Sequence, residues 1–108
     1  MIPQISVQQL AAKLAAGEPV YLLDVRQPEE HAHVALPHST LIPLGELSGR
    51  VAEVEPPAGA LVIVYCHHGI RSLTGAHLLQ QAGIGPVASL AGGIDAWSRL
   101  IDPALRRY

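Results

Sequence analysis

Leu61-Val62-Ile63-Val64-Tyr65-Cys66-His67-His68-Gly69-Ile70-Arg71-Ser72 carries five apolar residues into the only cysteine of the chain, then through a glycine-bearing turn to an arginine. A short apolar run without polar alternation reads as a strand covered on both faces, here Leu61 to Tyr65. From Arg71 to Ala82 the sequence suits a helix, stopped by Gly83. The cysteine therefore sits where a strand turns into a helix. Loop amides and the positive end of the helix dipole stabilise an anion at such a place, which favours thiolate over thiol.

The pattern continues on both sides. Ser6 and Gln9 have the spacing of a capping box, and Val7, Leu10, Ala11, Leu14 and Ala15 fall on one helical stripe ended by Gly17. Val20 to Val25 is a second, nearly continuous apolar run. Pro28-Glu29-Glu30 suits the first turn of a short helix, and Ser39 to Ile42, bracketed by Pro37 and Pro43, suits a short strand. Leu47, Val51 and Val54 mark a further helix by their i, i+4, i+7 spacing. Val87 to Leu90 reads as a brief strand, and Gly92-Gly93 turns into a last helix carrying Ile94, Trp97 and Ile101. Strands alternating with helices predict an α/β fold: a small, mainly parallel central sheet flanked by helices on both faces. Ligands of such sheets bind beyond the carboxyl ends of the strands. Cys66 and Asp24 lie at two of those ends, so one rim is expected to hold both.

Composition bounds the reading further. The 108 residues fit a single domain, residues 1–108, and 49% hydrophobic with 15% charged residues is enough to fill a core. There is no Phe, so Leu, Val, Ile and Ala must build it. Net charge is -2 with no basic block, and no apolar run approaches the ~20 residues of a spanning helix. Neither nucleic acid nor membrane is an expected partner. One cysteine rules out an intrachain disulfide and a second, resolving thiol, and a cytoplasmic location is the expectation. His31, His33 and His38 match no familiar zinc spacing, so no metal and no cofactor are expected.

Successive amides in a tight loop form a concave anion site, and Gly69 removes a side chain where that loop must bend. Arg71 adds a permanent cation. A thiolate cupped in this way can accept one sulfur atom and hold it as a persulfide. Four residues separate Cys66 from Arg71, a shorter loop than a cysteine phosphatase uses to ring a phosphate. His67 and His68 are candidate proton donors to a leaving group, or solvated loop residues; the sequence supplies neither with a base partner. Asp24 and Arg26 read as supporting residues, Asp24 accepting loop amides and Arg26 pairing with Glu29 or Glu30. Trp97 reads as core.

These residues bring the chain close to a known family. It resembles the rhodanese-like sulfurtransferases, in particular the single-domain kind, through Leu22-Leu23-Asp24-Val25-Arg26 with Pro28-Glu29-Glu30, through Ile42-Pro43-Leu44, through the Cys66–Ser72 loop, and through Leu90-Ala91-Gly92-Gly93-Ile94-Asp95-Ala96-Trp97. The resemblance implies a thiosulfate sulfurtransferase in which Cys66 takes a sulfane sulfur from a small anionic donor and passes it to a thiophilic acceptor. It implies that the amides of His67, His68, Gly69, Ile70, Arg71 and Ser72 hold the persulfide and that Arg71 attracts the donor. The loop and the Gly92–Trp97 stretch also look like rhodanese domains attached to enzymes that activate sulfur-carrier proteins, so a sulfur-relay protein is a candidate partner. The family's Gly-His-Ile-Pro-Gly-Ala is replaced here by Val34-Ala35-Leu36-Pro37-His38-Ser39, where only Pro37 keeps its type. With both glycines gone, the local turn is expected to differ. Two rival readings use the same loop: a persulfide carrier without turnover, and a cysteine phosphatase or arsenate reductase, against which the short spacing argues.

Overall fold

The computed structural model describes residues 1–108. Five strands and five α-helices alternate along the chain: β1 Gln4–Ile5, α1 Val7–Ala15, β2 Val20–Asp24, α2 Pro28–His33, β3 Thr40–Leu41, α3 Leu44–Leu47, β4 Leu61–Tyr65, α4 Arg71–Gln81, β5 Val87–Leu90 and α5 Gly93–Leu100. The strands form one sheet in the order β1-β5-β4-β2-β3, and every neighbouring pair is parallel. The α/β architecture expected from the alternation is the one observed.

Side-chain alternation along the strands divides the interior into two layers. Ile5, Leu22, Ile63, Tyr65, Ala88 and Leu90 face α1 and α5, where they meet Val7, Leu10, Ile94 and Trp97. Leu23, Val25, Val62, Val64 and Val87 face the other way, onto Leu47, Ala76 and Leu79 of α3 and α4. Each fully buried Leu or Ile contributes roughly 1.5–3 kcal/mol. Helix α4 lies close on the sheet because Gly75 leaves room: a Cβ there would stand 3.2 Å from methyls of both Val25 and Val64.

Local signals act as read. Ser6 Oγ accepts the Gln9 amide at 3.1 Å and Gln9 Oε1 accepts the Ser6 amide at 2.8 Å, closing the capping box of α1. The helix expected through Leu47, Val51 and Val54 is instead broken. Helix α3 ends at Leu47, and a separate 3-10 turn spans Val51–Glu53. Gly45, Ser48 and Gly49 are weak helix formers in this segment. The backbone tightens to three-residue turns, Glu46 O accepting Gly49 N and Leu47 O accepting Arg50 N. Arg50 ties the pieces together through Glu46 and Glu53, so Leu47 and Val54 still reach the same core. The sequence carries no signal for strand β1. Its two residues are too few to show a period, and only pairing to Ser89 and Leu90 of β5 defines it.

The order of strands creates a crevice. The chain leaves β2 toward β3 at one edge and leaves β4 toward β5 on the other side, while β2 and β4 are neighbours with Asp24 opposite Tyr65. Their following loops splay apart at this switch of direction, where parallel sheets bind ligands.

Candidate active site

Cys66 follows β4 in register. Val62 and Val64 point toward α4, so Cys66 does too, and its side chain is 1% exposed beneath the first turn of that helix. The Gly69 amide donates to Sγ at 3.1 Å and the Ser72 amide at 3.3 Å. The thiol donates to Ser72 Oγ at 3.5 Å, and Ser72 Oγ pairs with Ser89 Oγ at 2.7 Å. Both serines are fully buried. Of the six loop residues expected to present amides, Gly69 and Ser72 are the two whose N–H groups touch the sulfur. Ser72 lies in the first turn of α4, so the helix dipole also faces the thiol.

The loop is held open by the opposite turn. Cys66 O accepts Ile94 N at 2.9 Å and His67 O accepts Asp95 N at 3.0 Å. These are first-turn amides of α5, which a helix leaves unpaired. Gly93, at φ 61°, lies so close beneath that a Cβ would overlap both carbonyl oxygens. Gly69, at φ 103°, packs the other way, with space for a Cβ closed by Gly92 N at 3.0 Å.

Asp24 accepts the loop amide of Arg26 at 3.0 Å, and it is the Arg26 side chain that departs from expectation. Arg26 pairs with Asp24 rather than with Glu29 or Glu30. Its Nε and Nη2 donate to the two carboxylate oxygens at 2.9 and 2.7 Å, with both side chains fully buried. The Asp24 carboxylate lies only two residues back along the chain and is buried together with the guanidinium. His31 Nδ1 adds a 2.8 Å contact to Asp24, while His33 turns its ring edge to Tyr108, so these histidines do not converge. Glu30 is instead the partner of Arg71: Nη1 and Nη2 meet its two oxygens at 2.7 and 3.0 Å. Arg71 was expected to face a donor; both ends of its fork rest on a carboxylate.

Tyr108 joins the two pairs. Its hydroxyl accepts from Arg26 Nη1 at 2.7 Å and donates to Glu30 at 2.9 Å, while its ring stacks on His67 at 3.9 Å between centroids. Burial, with the Glu30 charge, pushes its phenol up to about 12, so it stays a donor at neutral pH. Arg71, more than the amide of Gln27, holds the Glu30 carboxyl down at about 2. His67 lies between Tyr108 and His68, with Nε2 buried and unpartnered. Burial first and His68 second lower its pKa, which favours the neutral imidazole. His67, His68 and Asp95 bring ligand-type atoms within 4.8 Å of one another. The Asp95 oxygens already hold Arg99 at 3.0 Å and Arg107 at 3.2 Å, so two guanidinium cations stand where a metal would need anionic charge.

The sequence alone does not single out Ser89 or Tyr108. Ser89 carried one faint signal, a hydroxyl inside an apolar strand. Tyr108 carried none: the tail reaches the site because Leu105 packs on the α1–α5 core layer.

A parallel sheet with this cysteine cradle at its switch point defines a rhodanese-like domain, and the chain belongs to that family, whose pattern it matches over residues 6–100. Among relatives, it is 36% identical to a sulfurtransferase of Allochromatium vinosum over 92% of this chain and 91% of that one. It is 35% identical to the adenylyltransferase and sulfurtransferase uba4 of Ogataea parapolymorpha over 97% of this chain, but spans only 26% of that protein. Its fold superposes on the thiosulfate sulfurtransferase of Pseudomonas aeruginosa with a TM-score of 0.84 at 33% identity, covering 98% of this chain and 20% of that one. The protein is thus a rhodanese-like domain of the sulfurtransferase type. None of its helices is long and apolar enough to cross a membrane.

Proposed function

We propose that the protein moves a sulfane sulfur through a persulfide on Cys66. The Cys66 thiolate attacks the outer sulfur of a donor. The donor's S–S bond breaks, and its electron pair leaves with sulfite if the donor is thiosulfate, or with a thiolate if it is an organic persulfide. Cys66 becomes a persulfide. A thiophilic acceptor, cyanide or another thiolate, then takes the outer sulfur and returns the Cys66 thiolate. No oxidant enters, and splitting the transfer into two displacements predicts ping-pong kinetics.

The observation that carries this reading is the pair of amides on Sγ, from Gly69 and Ser72, beside the buried Ser72 and Ser89 hydroxyls. Amide donors fixed at the sulfur stabilise a thiolate before attack and a persulfide after it. The remaining loop amides, His67, His68, Ile70 and Arg71, are assigned to the outer sulfur.

The test is intact mass after incubation with a sulfane donor. A gain of about 32 Da, removed by cyanide and absent in Cys66→Ser, is expected. A wild-type protein that gains nothing from any donor refutes the reading. A second reading, a persulfide carrier serving a sulfur-relay partner, is favoured by the likeness to a chain that joins adenylyltransferase and sulfurtransferase. Steady turnover of a small donor with cyanide separates the two, because a carrier that receives its persulfide from a partner protein would not be reloaded by the small donor.

A further inference from the structure

Resting on the Cys66 persulfide reading, we propose that Glu30 sets the donor class: it makes the site select organic persulfides, R–S–SH, over inorganic thiosulfate. Glu30 is a built part of the mouth. Four groups fix its carboxylate: both terminal nitrogens of Arg71, the Gln27 amide at 2.9 Å and the Tyr108 hydroxyl at 2.9 Å. Arg71 opens helix α4 one residue before Ser72, whose amide touches Sγ, so it is the cation that flanks the sulfur. Its guanidinium and the Glu30 carboxylate form a closed, bidentate pair with no net charge. Across the crevice, Arg107 and Arg99 are likewise held by Asp95.

The donors differ in where they carry charge. Thiosulfate is a dianion with its sulfonate one bond from the sulfur to be transferred. To profit from Arg71 it must displace Glu30 from a bidentate pair, and until it does it faces a carboxylate. An organic persulfide has an uncharged sulfur bonded to carbon at that position and needs no guanidinium fork. The lip of the cradle also offers apolar surface to such a donor, since Ile70, between Gly69 and Arg71, is 75% exposed.

The experiment compares thiosulfate with glutathione persulfide as donors, cyanide as acceptor, for the wild type and Glu30→Gln. Gln preserves the capping-box geometry while removing the charge. In the wild type, kcat/KM for glutathione persulfide is expected to exceed that for thiosulfate by about tenfold or more. Glu30→Gln is expected to raise the thiosulfate-to-persulfide ratio of kcat/KM about tenfold, mainly through a lower KM for thiosulfate, and high salt should shrink the gain. Wild-type preference for thiosulfate, or a substitution that leaves the ratio unchanged, overturns the proposal. If Glu30→Gln does not fold, the wild-type ratio decides alone. Cys66 loading by mass keeps the two failures apart: a Cys66 adduct from both donors with no preference sinks only the selectivity, whereas no adduct from either sinks the persulfide reading itself.

Discussion

The carbonyl of Cys66 accepts the amide of Ile94 at 2.9 Å, so the peptide of the nucleophile also caps the start of helix α5. The thiol loop and the Gly92-Gly93 turn are one unit: α5 draws the loop carbonyls toward itself, and Gly69 and Ser72 amides reach the sulfur. Gly93→Ala should break this unit, because Ala at φ 61° is strained and its Cβ meets the Cys66 and His67 oxygens. We expect a loss of at least about 1–3 kcal/mol in stability. Persulfide loading, followed by mass, should slow in the same variant. Wild-type stability together with wild-type loading would contradict the coupling.

The serine pair under the sulfur predicts non-additivity. Ser72→Ala leaves Ser89 Oγ without its 2.7 Å partner in a fully buried place, and Ser89→Ala does the same to Ser72. Each single change should cost about 1–3 kcal/mol. The double change should cost less than the sum, as chemical denaturation of all four proteins would reveal.

Acid should weaken the mouth. Glu30 has its carboxyl near 2 in the folded protein against 4.5 ordinarily. A depressed carboxyl stabilises the fold above its unfolded value and loses that contribution as pH falls from about 4.5 toward 2. Thermal melts across this window should show a steeper decline for wild type than for Glu30→Gln. Parallel curves would mean that the ion pair with Arg71 contributes nothing in solution.

The buried pair behind the site is a different case. Asp24→Asn removes one charge from a couple in which both side chains are fully buried, leaving Arg26 uncompensated. A destabilisation of about 3–5 kcal/mol is expected. Urea midpoints should place it below Arg50→Ala, whose ion pairs with Glu46 and Glu53 lie at the surface.

His38 holds φ 62°, the left-handed backbone that glycine adopts without strain, at a place where the family's pattern has glycine. The turn expected to change has kept that conformation and given it to a histidine. Tyr65 locks it: its hydroxyl accepts the Leu36 amide at 3.1 Å and contacts Ser39 Oγ at 2.8 Å. His38→Gly relieves about 1–2 kcal/mol of left-handed strain against about 0.4–1 kcal/mol of added unfolded-chain entropy, so a small net stabilisation, visible as a higher Tm, is expected.

Much of this was legible in the chain. Apolar runs at Val20–Val25 and Leu61–Tyr65 mark the adjacent strands β2 and β4, because residues buried on two faces leave a continuous signal. The Ser6 and Gln9 capping box gives the start of α1, since those contacts are local. The loop from Cys66 to Ser72 is equally local: one turn sets which amides face the thiol. Strand β1 and the break after Leu47 were not legible, the first for want of length and the second because weak helix formers lie between apolar residues that keep helical spacing.

The sequence by itself determined the alternating elements, the cysteine at a strand-to-helix turn and the residue types that cup it, because neighbours in the chain supply those interactions. Only the tertiary structure decided who pairs with whom at the mouth. Arg71 and Glu30 lie in the first turns of the helices that follow adjacent strands, Ser89 of β5 pairs with the serine beside the thiol, and Tyr108 arrives on a tail anchored by Leu105. Charges and hydroxyls carry no periodic signal, and an arginine can reach several carboxylates along the chain. Packing fixes the choice: Asp24 and Arg26 are sealed together under the rim, which leaves Glu30 to hold the cation beside Cys66.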